Sequence, residues 1–145
     1  MSRPPRVISF ITRKSDKRFL VVAVRHKNGS TVIQFPGGTV TRQDEAPLDF
    51  LTRDIHKTFR LSLQDIHELP LLVVPFRGHV VNGKEEVFYL FRATTEDEVF
   101  MRQRDRDYYE PFWVHEEAIG SLEKKDGHSL GRGFLDALDT FLGRM

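Results

Sequence analysis

Cysteine is absent from the 145 residues, which excludes disulfides, thiol nucleophiles and cysteine-ligated zinc, and gives no reason to expect an oxidising compartment. Long apolar runs are absent too. No stretch approaches the ~20 residues that span a bilayer, and residues 1–6 are polar and proline-containing rather than a signal sequence. A cytoplasmic protein with no membrane partner is therefore expected. Nor is there an excess of one charge: 22 Lys and Arg against 21 Asp and Glu leave +1 and a pI near 8.1. That balance excludes a protein that coats nucleic acid and leaves room only for a local basic patch. Repeats, low-complexity tracts and a serine elbow are missing. His26, His56 and His79 have no ligand spacing, so zinc is not expected.

What the chain does have is apolar bulk for one core. Apolar residues make up 39%, including twelve Phe, with 30% charged residues for the surface, and the length suits a single domain over residues 1–145. Residues 7–12 and 19–25 are β-branched and aromatic runs joined by the polar residues 13–18, which reads as a hairpin. Residues 31–35 restart an extended run after the turn pair Asn28-Gly29. Three strands thus precede Gly37-Gly38. Residues 69–76 are almost wholly apolar, and residues 77–81 are expected to pair with 85–91 across Asn82-Gly83. Residues 94–109 read as a polar surface excursion, 112–114 as a short strand and 116–122 as a short helix. Ser129 suits the cap of a final helix that buries Phe134, Leu138, Phe141 and Leu142 and ends at Gly143. Several strands before one helix and several after it argue for a mixed α/β layer sandwich and against strict βαβ alternation.

The functional lead lies between residues 35 and 63. Phe35-Pro36-Gly37-Gly38 reads as a turn, followed by an acidic loop with Asp44 and Glu45 and by a helix over residues 47–59. Leu48, Leu51, Ile55 and Phe59 recur at helical spacing as one apolar stripe, while Pro47 and the acidic residues suit the N-terminal end. Arg53, Lys57 and Arg60 share the opposite face, with Asp49 one turn before Arg53 and Asp54 to the side. Like charges at Arg53 and Lys57 tolerate each other better with an anion between them. A glycine turn leading into a charged helix is one way to hold phosphates, so Gly37, Gly38, Arg53 and Lys57 are the candidate phosphate-binding residues. The structural alternative is a solvated helix face with Arg53 tied to a nearby carboxylate.

The same stretch resembles the signature of the Nudix hydrolase superfamily: Gly, five residues, Glu, seven residues, Arg-Glu, an aliphatic residue, any residue, Glu-Glu, any residue, Gly, and an aliphatic residue. Here six residues separate Gly38 from Glu45, and seven more lead to Arg53-Asp54-Ile55-His56-Lys57-Thr58-Phe59-Arg60-Leu61. Asp44 is the alternative partner for the first Glu. Phe112-Trp113-Val114 ahead of Glu116 resembles the family's tryptophan-containing strand and short helix, so the resemblance spans residues 7–142. It implies an α/β fold, a Nudix-type α/β/α sandwich with a mixed β-sheet. In chemistry it implies Mg2+ or Mn2+ held by carboxylates that polarise a diphosphate and activate water. The box is degenerate at that point: Lys57 and Thr58 stand for the paired glutamates, Asp54 for the preceding Glu, and Arg60 for the helix-ending Gly. Hard cations need several anionic oxygens. Asp54 and Glu45 are thus the candidate catalytic and metal residues for a weakly held ion, with Asp107 or Glu110 as a third ligand. Both acidic residues also have a purely electrostatic reading near the helix start.

Two function classes stay open. One is a non-catalytic module that binds a nucleotide or nucleoside-diphosphate-linked ligand and needs no cofactor. The other is a divergent pyrophosphohydrolase cleaving such a compound by water attack, with carboxylates supplied from residues 105–110. Tyr108, Tyr109 and Phe112 are candidates for base stacking, whereas Trp113 is expected in the core. Arg102, Arg104 and Arg106 are the only hint of RNA, and their acidic neighbours favour an ordinary solvated loop. The resemblance also leaves a homodimer open.

Overall fold

The computed structural model describes residues 5–25, 29–40, 42, 45–75, 85–96, 108–119, 129–130, 137–139 and 141. Its elements run in the order β1 (Arg6–Arg13), β2 (Phe19–Arg25), β3 (Thr31–Gln34), β4 (Gly37–Thr39), α1 (Pro47–Phe59), β5 (Gln64–Glu68), β6 (Leu72–Pro75), β7 (Glu85–Thr95), β8 (Tyr108–Val114), α2 (Glu116–Ile119) and β9 (Ser129–Leu130). The nine strands among the described residues join one mixed sheet. β1 lies parallel to β7 and antiparallel to β2 and β4; β3 and β9 are the second parallel pair.

Alternation along the central strands makes the layers. Ile8 and Phe10 of β1, Phe19, Val21 and Ala23 of β2, and Phe88 and Leu90 of β7 face one side, where Ile119, Ala137, Leu138 and Phe141 cover them. Val7 and Ile11, Leu20, Val22 and Val24, and Phe91 face the other side, where Phe50, Leu51, Ile55 and Phe59 of α1 cover them. A period of two buries both faces of β1 and β2 only because helical residues lie on each. The chain is therefore an α/β/α sandwich with a mixed sheet. On the side away from α1, the Phe141 ring stacks on Phe10 at 4.5 Å and meets Phe19 edge-on at 5.5 Å.

Some expectations are corrected. Leu48 is 41% exposed and leaves the apolar stripe of α1, while Phe50 and Thr58 join it. Residues 85–88 pair with β6, and Gln64, His67 and Glu68 of β5, a strand the sequence pattern does not announce, pair with Thr94, Arg92 and Phe91. Residues 77–81, the expected partner, lie outside the described residues. Ser129 sits in β9 against Val32 rather than at a helix start, since backbone pairing with β3 claims it. Residues 137–139 and 141 are helical; Phe134, Leu142 and Gly143 lie outside the described residues, as do the end of the 116–122 helix and most of the 94–109 excursion.

Candidate functional site: the exposed face of helix α1

The site is built where β4 crosses β1 and the chain turns into α1. Gly37 has φ +157°, and a Cβ there would stand 1.9 Å from the Val7 carbonyl oxygen. A Cβ on Gly38 would press on the Phe50 ring at 3.2 Å. Both glycines let β4 lie close against β1 and α1, a packing requirement that stands whether or not they also meet a ligand.

α1 opens with Pro47 at its first position, and Ala46 is an extended N-cap without a side-chain cap bond. The acidic residue beside it has another use. An Arg53 Nη1 donates to Glu45 Oε2, and the Arg53 guanidinium lies 5.7 Å from the centre of the Phe50 ring. The Glu45 side chain is only 12% exposed against 42% for Arg53, and its second oxygen, Oε1, is buried without a hydrogen-bond partner among the described residues. The structural alternative for Arg53, a tie to a nearby carboxylate, is what the geometry contains.

Buried Phe50, Leu51, Ile55, Thr58 and Phe59 fix the inner side of the helix. Arg53, His56, Lys57 and Arg60 are all exposed, and spacings of three and four put them on one outer strip. His56 joins this strip, a position that its spacing of three from Arg53 already encodes. Asp54 is half-buried at the strip's margin. Arg60 closes the helix in the left-handed region, φ 57° and ψ 34°, and its N–H donates to the His56 carbonyl at 2.9 Å. This is the cap that glycine usually takes. Among the described residues, no group of three or more His, Asp or Glu is placed to hold a metal ion.

The remaining described candidates belong to β8. Tyr108 and Tyr109 are in β8, paired with Arg25 and Val24 of β2. Phe112 is half-buried and packs into the core on the side away from α1. Glu110 is exposed on β8, opposite Ala23. Asp107 and Asp44 fall outside the described residues. Trp113 packs into the core on the α1 side, and the Arg13 guanidinium sits 4.6 Å over its ring, a contact no local pattern foretells.

No protein-family model matches the chain, and neither does any curated protein sequence. Solved structures do match. A NUDIX hydrolase from Nitrosomonas europaea superposes with a TM-score of 0.72 at 11% identity, over 98% of this chain and 90% of that one. The NUDIX domain of Shewanella oneidensis NrtR, solved with ADP-ribose, gives 0.70 at 14% identity, over 99% and 89%. The Escherichia coli dihydroneopterin triphosphate pyrophosphohydrolase gives 0.65 at 15% identity, over 99% and 98%. At such identities the likeness concerns architecture, and on that ground the chain has the Nudix fold.

Proposed function

We propose that this protein binds a nucleotide or nucleoside-diphosphate-linked ligand at the outer strip of α1, with metal-dependent phosphoanhydride hydrolysis lost or severely weakened. The observation that carries the reading is the last turn of α1, where Lys57 is exposed and Thr58 is 4% exposed, turned into the core. A magnesium or manganese ion asks for several anionic oxygens. These two positions offer an ammonium and a buried neutral hydroxyl, so the donor set does not fit a multi-metal site. Lys57 then supplies directly the positive charge that a diphosphate would otherwise take from a metal, with Arg53, braced by Glu45, one turn away. The ADP-ribose complex of the structural neighbour from Shewanella oneidensis supports this ligand class.

The second reading is a divergent pyrophosphohydrolase using Asp54 and Glu45 with Asp107 or Glu110. It is favoured by the half-burial of Asp54 beside the strip and by a pyrophosphohydrolase among the structural neighbours. One experiment separates the two. Calorimetry with ADP-ribose and with nucleoside di- and triphosphates should show binding that weakens about 10- to 100-fold in Lys57→Glu, the loss of one charge-assisted contact, with unchanged thermal unfolding. Equal affinity in the variant would end the proposal. Turnover of the same compounds with Mg2+ or Mn2+ that vanishes in Asp54→Asn would replace it by the second reading.

A further inference from the structure

The glycine turn and the outer strip of α1 lie on different elements, and one side chain touches both. Phe50 is 7% exposed and belongs to the core on the α1 side of the sheet. Its ring fills the space that a missing side chain leaves on β4: a Cβ on Gly38 would stand 3.2 Å from the ring's Cζ and 3.6 Å from its Cε1. The same ring carries the Arg53 guanidinium, 5.7 Å from its centre.

Helix geometry explains the second contact. Residues three apart are neighbours along α1, and helical side chains lean towards the N-terminal end. Arg53 therefore reaches back over the turn that holds Phe50, and at the end of that reach it meets Glu45.

Two contacts of different kinds hold the guanidinium. Glu45 accepts one N–H, from Nη1. The ring attracts the cation through its face and takes no N–H at all. Arg53 is exposed, and its other donors have no partner among the described residues. A second carboxylate in place of the ring would have used those donors and left the site negative. The ring restrains Arg53 without either effect.

Restraint of this kind matters for arginine more than for lysine. A guanidinium meets phosphate through a planar fork of N–H groups, so the direction of its plane decides whether the fork can close on the ligand. An ammonium such as that of Lys57 has no plane to direct.

We infer that Phe50 is a positioning residue of the phosphate site: seated in the gap that Gly38 leaves, its ring fixes the plane in which Arg53 presents its remaining N–H groups. The inference rests on the nucleotide-binding reading of α1. It gives the glycine turn an indirect part in that site, exerted through the ring.

The test is calorimetry with ADP-ribose on wild type, Phe50→Leu and Phe50→Met, each also combined with Arg53→Ala, beside Lys57→Glu. Both Phe50 variants keep apolar bulk and lose the aromatic face, so each should weaken binding about 2- to 5-fold, the range of an exposed cation–ring contact. With Arg53→Ala already in place, neither should weaken it further, whereas a general loss of packing would persist there. Without ligand, the Arg53 Nε–H resonance should be shifted upfield by the ring current in wild type and should return to the ordinary arginine position in Phe50→Leu. Undiminished affinity in both Phe50 variants, an equal loss in the Arg53→Ala background, or an Nε–H resonance indifferent to the ring would each overturn the inference. Absence of ADP-ribose binding by wild type, or a Lys57→Glu variant as tight as wild type, would end the nucleotide-binding reading itself and the inference with it.

Discussion

The pair Glu45–Arg53 sets how firmly Arg53 is braced on the helix, and its energetics follow from unequal burial. Arg53 is 42% exposed at its side chain, so removing it costs little solvation of its own. Glu45 is 12% exposed and already has one oxygen without a partner among the described residues. Arg53→Ala therefore leaves a largely buried carboxylate with neither oxygen bonded. The cost falls between an exposed pair, about 0.2–1 kcal/mol, and a fully buried one, about 3–5 kcal/mol; we expect about 2 kcal/mol. Glu45→Gln keeps the shape and removes the charge, and should cost about 1 kcal/mol. Urea unfolding of wild type, Arg53→Ala, Glu45→Ala and the double variant gives the coupling, expected near 1–2 kcal/mol. The Arg53→Ala midpoint should drop by about 1 M urea. Coupling below about 0.5 kcal/mol would refute the reasoning and leave Arg53 unbraced on the solvated strip.

Gly37→Ala should be the most damaging small substitution in the loop. Its Cβ would meet the backbone oxygen of Val7 at 1.9 Å, and no rotamer change relieves a contact with backbone. Separating β4 from β1 endangers the pairs at Arg6, Val7 and Ile8, so a loss of about 3 kcal/mol or more is expected in thermal or urea unfolding; a loss under about 1 kcal/mol would contradict the close crossing. Asp16 is held at a pKa of about 2, below its ordinary 3.8, chiefly by the hydrogen bond from Arg13. Its lowered pKa means the unfolded chain takes up the proton first on acidification. The stability difference between wild type and Asp16→Asn should thus be full above pH 3.8 and close as the pH falls through about 2, which acid titration of unfolding checks; a pH-independent difference would remove the ionic role.

The layers were legible in the sequence wherever periodicity carried them. Residues 7–12 and 19–25 were legible as β-branched and aromatic strands, and the structure buries both of their faces. The helix over residues 47–59 was legible at both ends, from Pro47 at the start and from the signature's register at the finish. Its apolar stripe was misread at Leu48, which is 41% exposed while Phe50 and Leu51 beside it are buried, because hydropathy does not report which part of a helix the sheet covers. β5 was hidden by composition: Gln64, Asp65, His67 and Glu68 are polar, and Asp65 takes φ +50°, so only pairing with β7 makes it a strand. At the site, charge and spacing gave the strip Arg53, Lys57 and Arg60. The tie from Arg53 to Glu45, eight residues apart across a helix start, was one of two readings, and only coordinates could show the contact.

The basic residues at the end of α1 have a consequence for the helix itself. The C-terminal end of a helix carries about half a negative charge, which favours cations by about 0.3–1 kcal/mol each and disfavours carboxylates. A helix with several glutamates in that last turn sets them against the dipole and against one another, and a bound divalent ion relieves both strains. In this chain the last turn holds His56 and Lys57, with Arg60 as the cap, so the dipole is already complemented and no ion is needed to hold the turn together. The balance of repulsion passes to the cations, which stand three and four residues apart. Arg53 is compensated by Glu45; Lys57 and Arg60, both exposed, are better placed beside an anion than beside each other. The last turn of α1 presents ammonium and guanidinium groups to solvent, and under the proposed function the ligand that lowers its free energy is a phosphate.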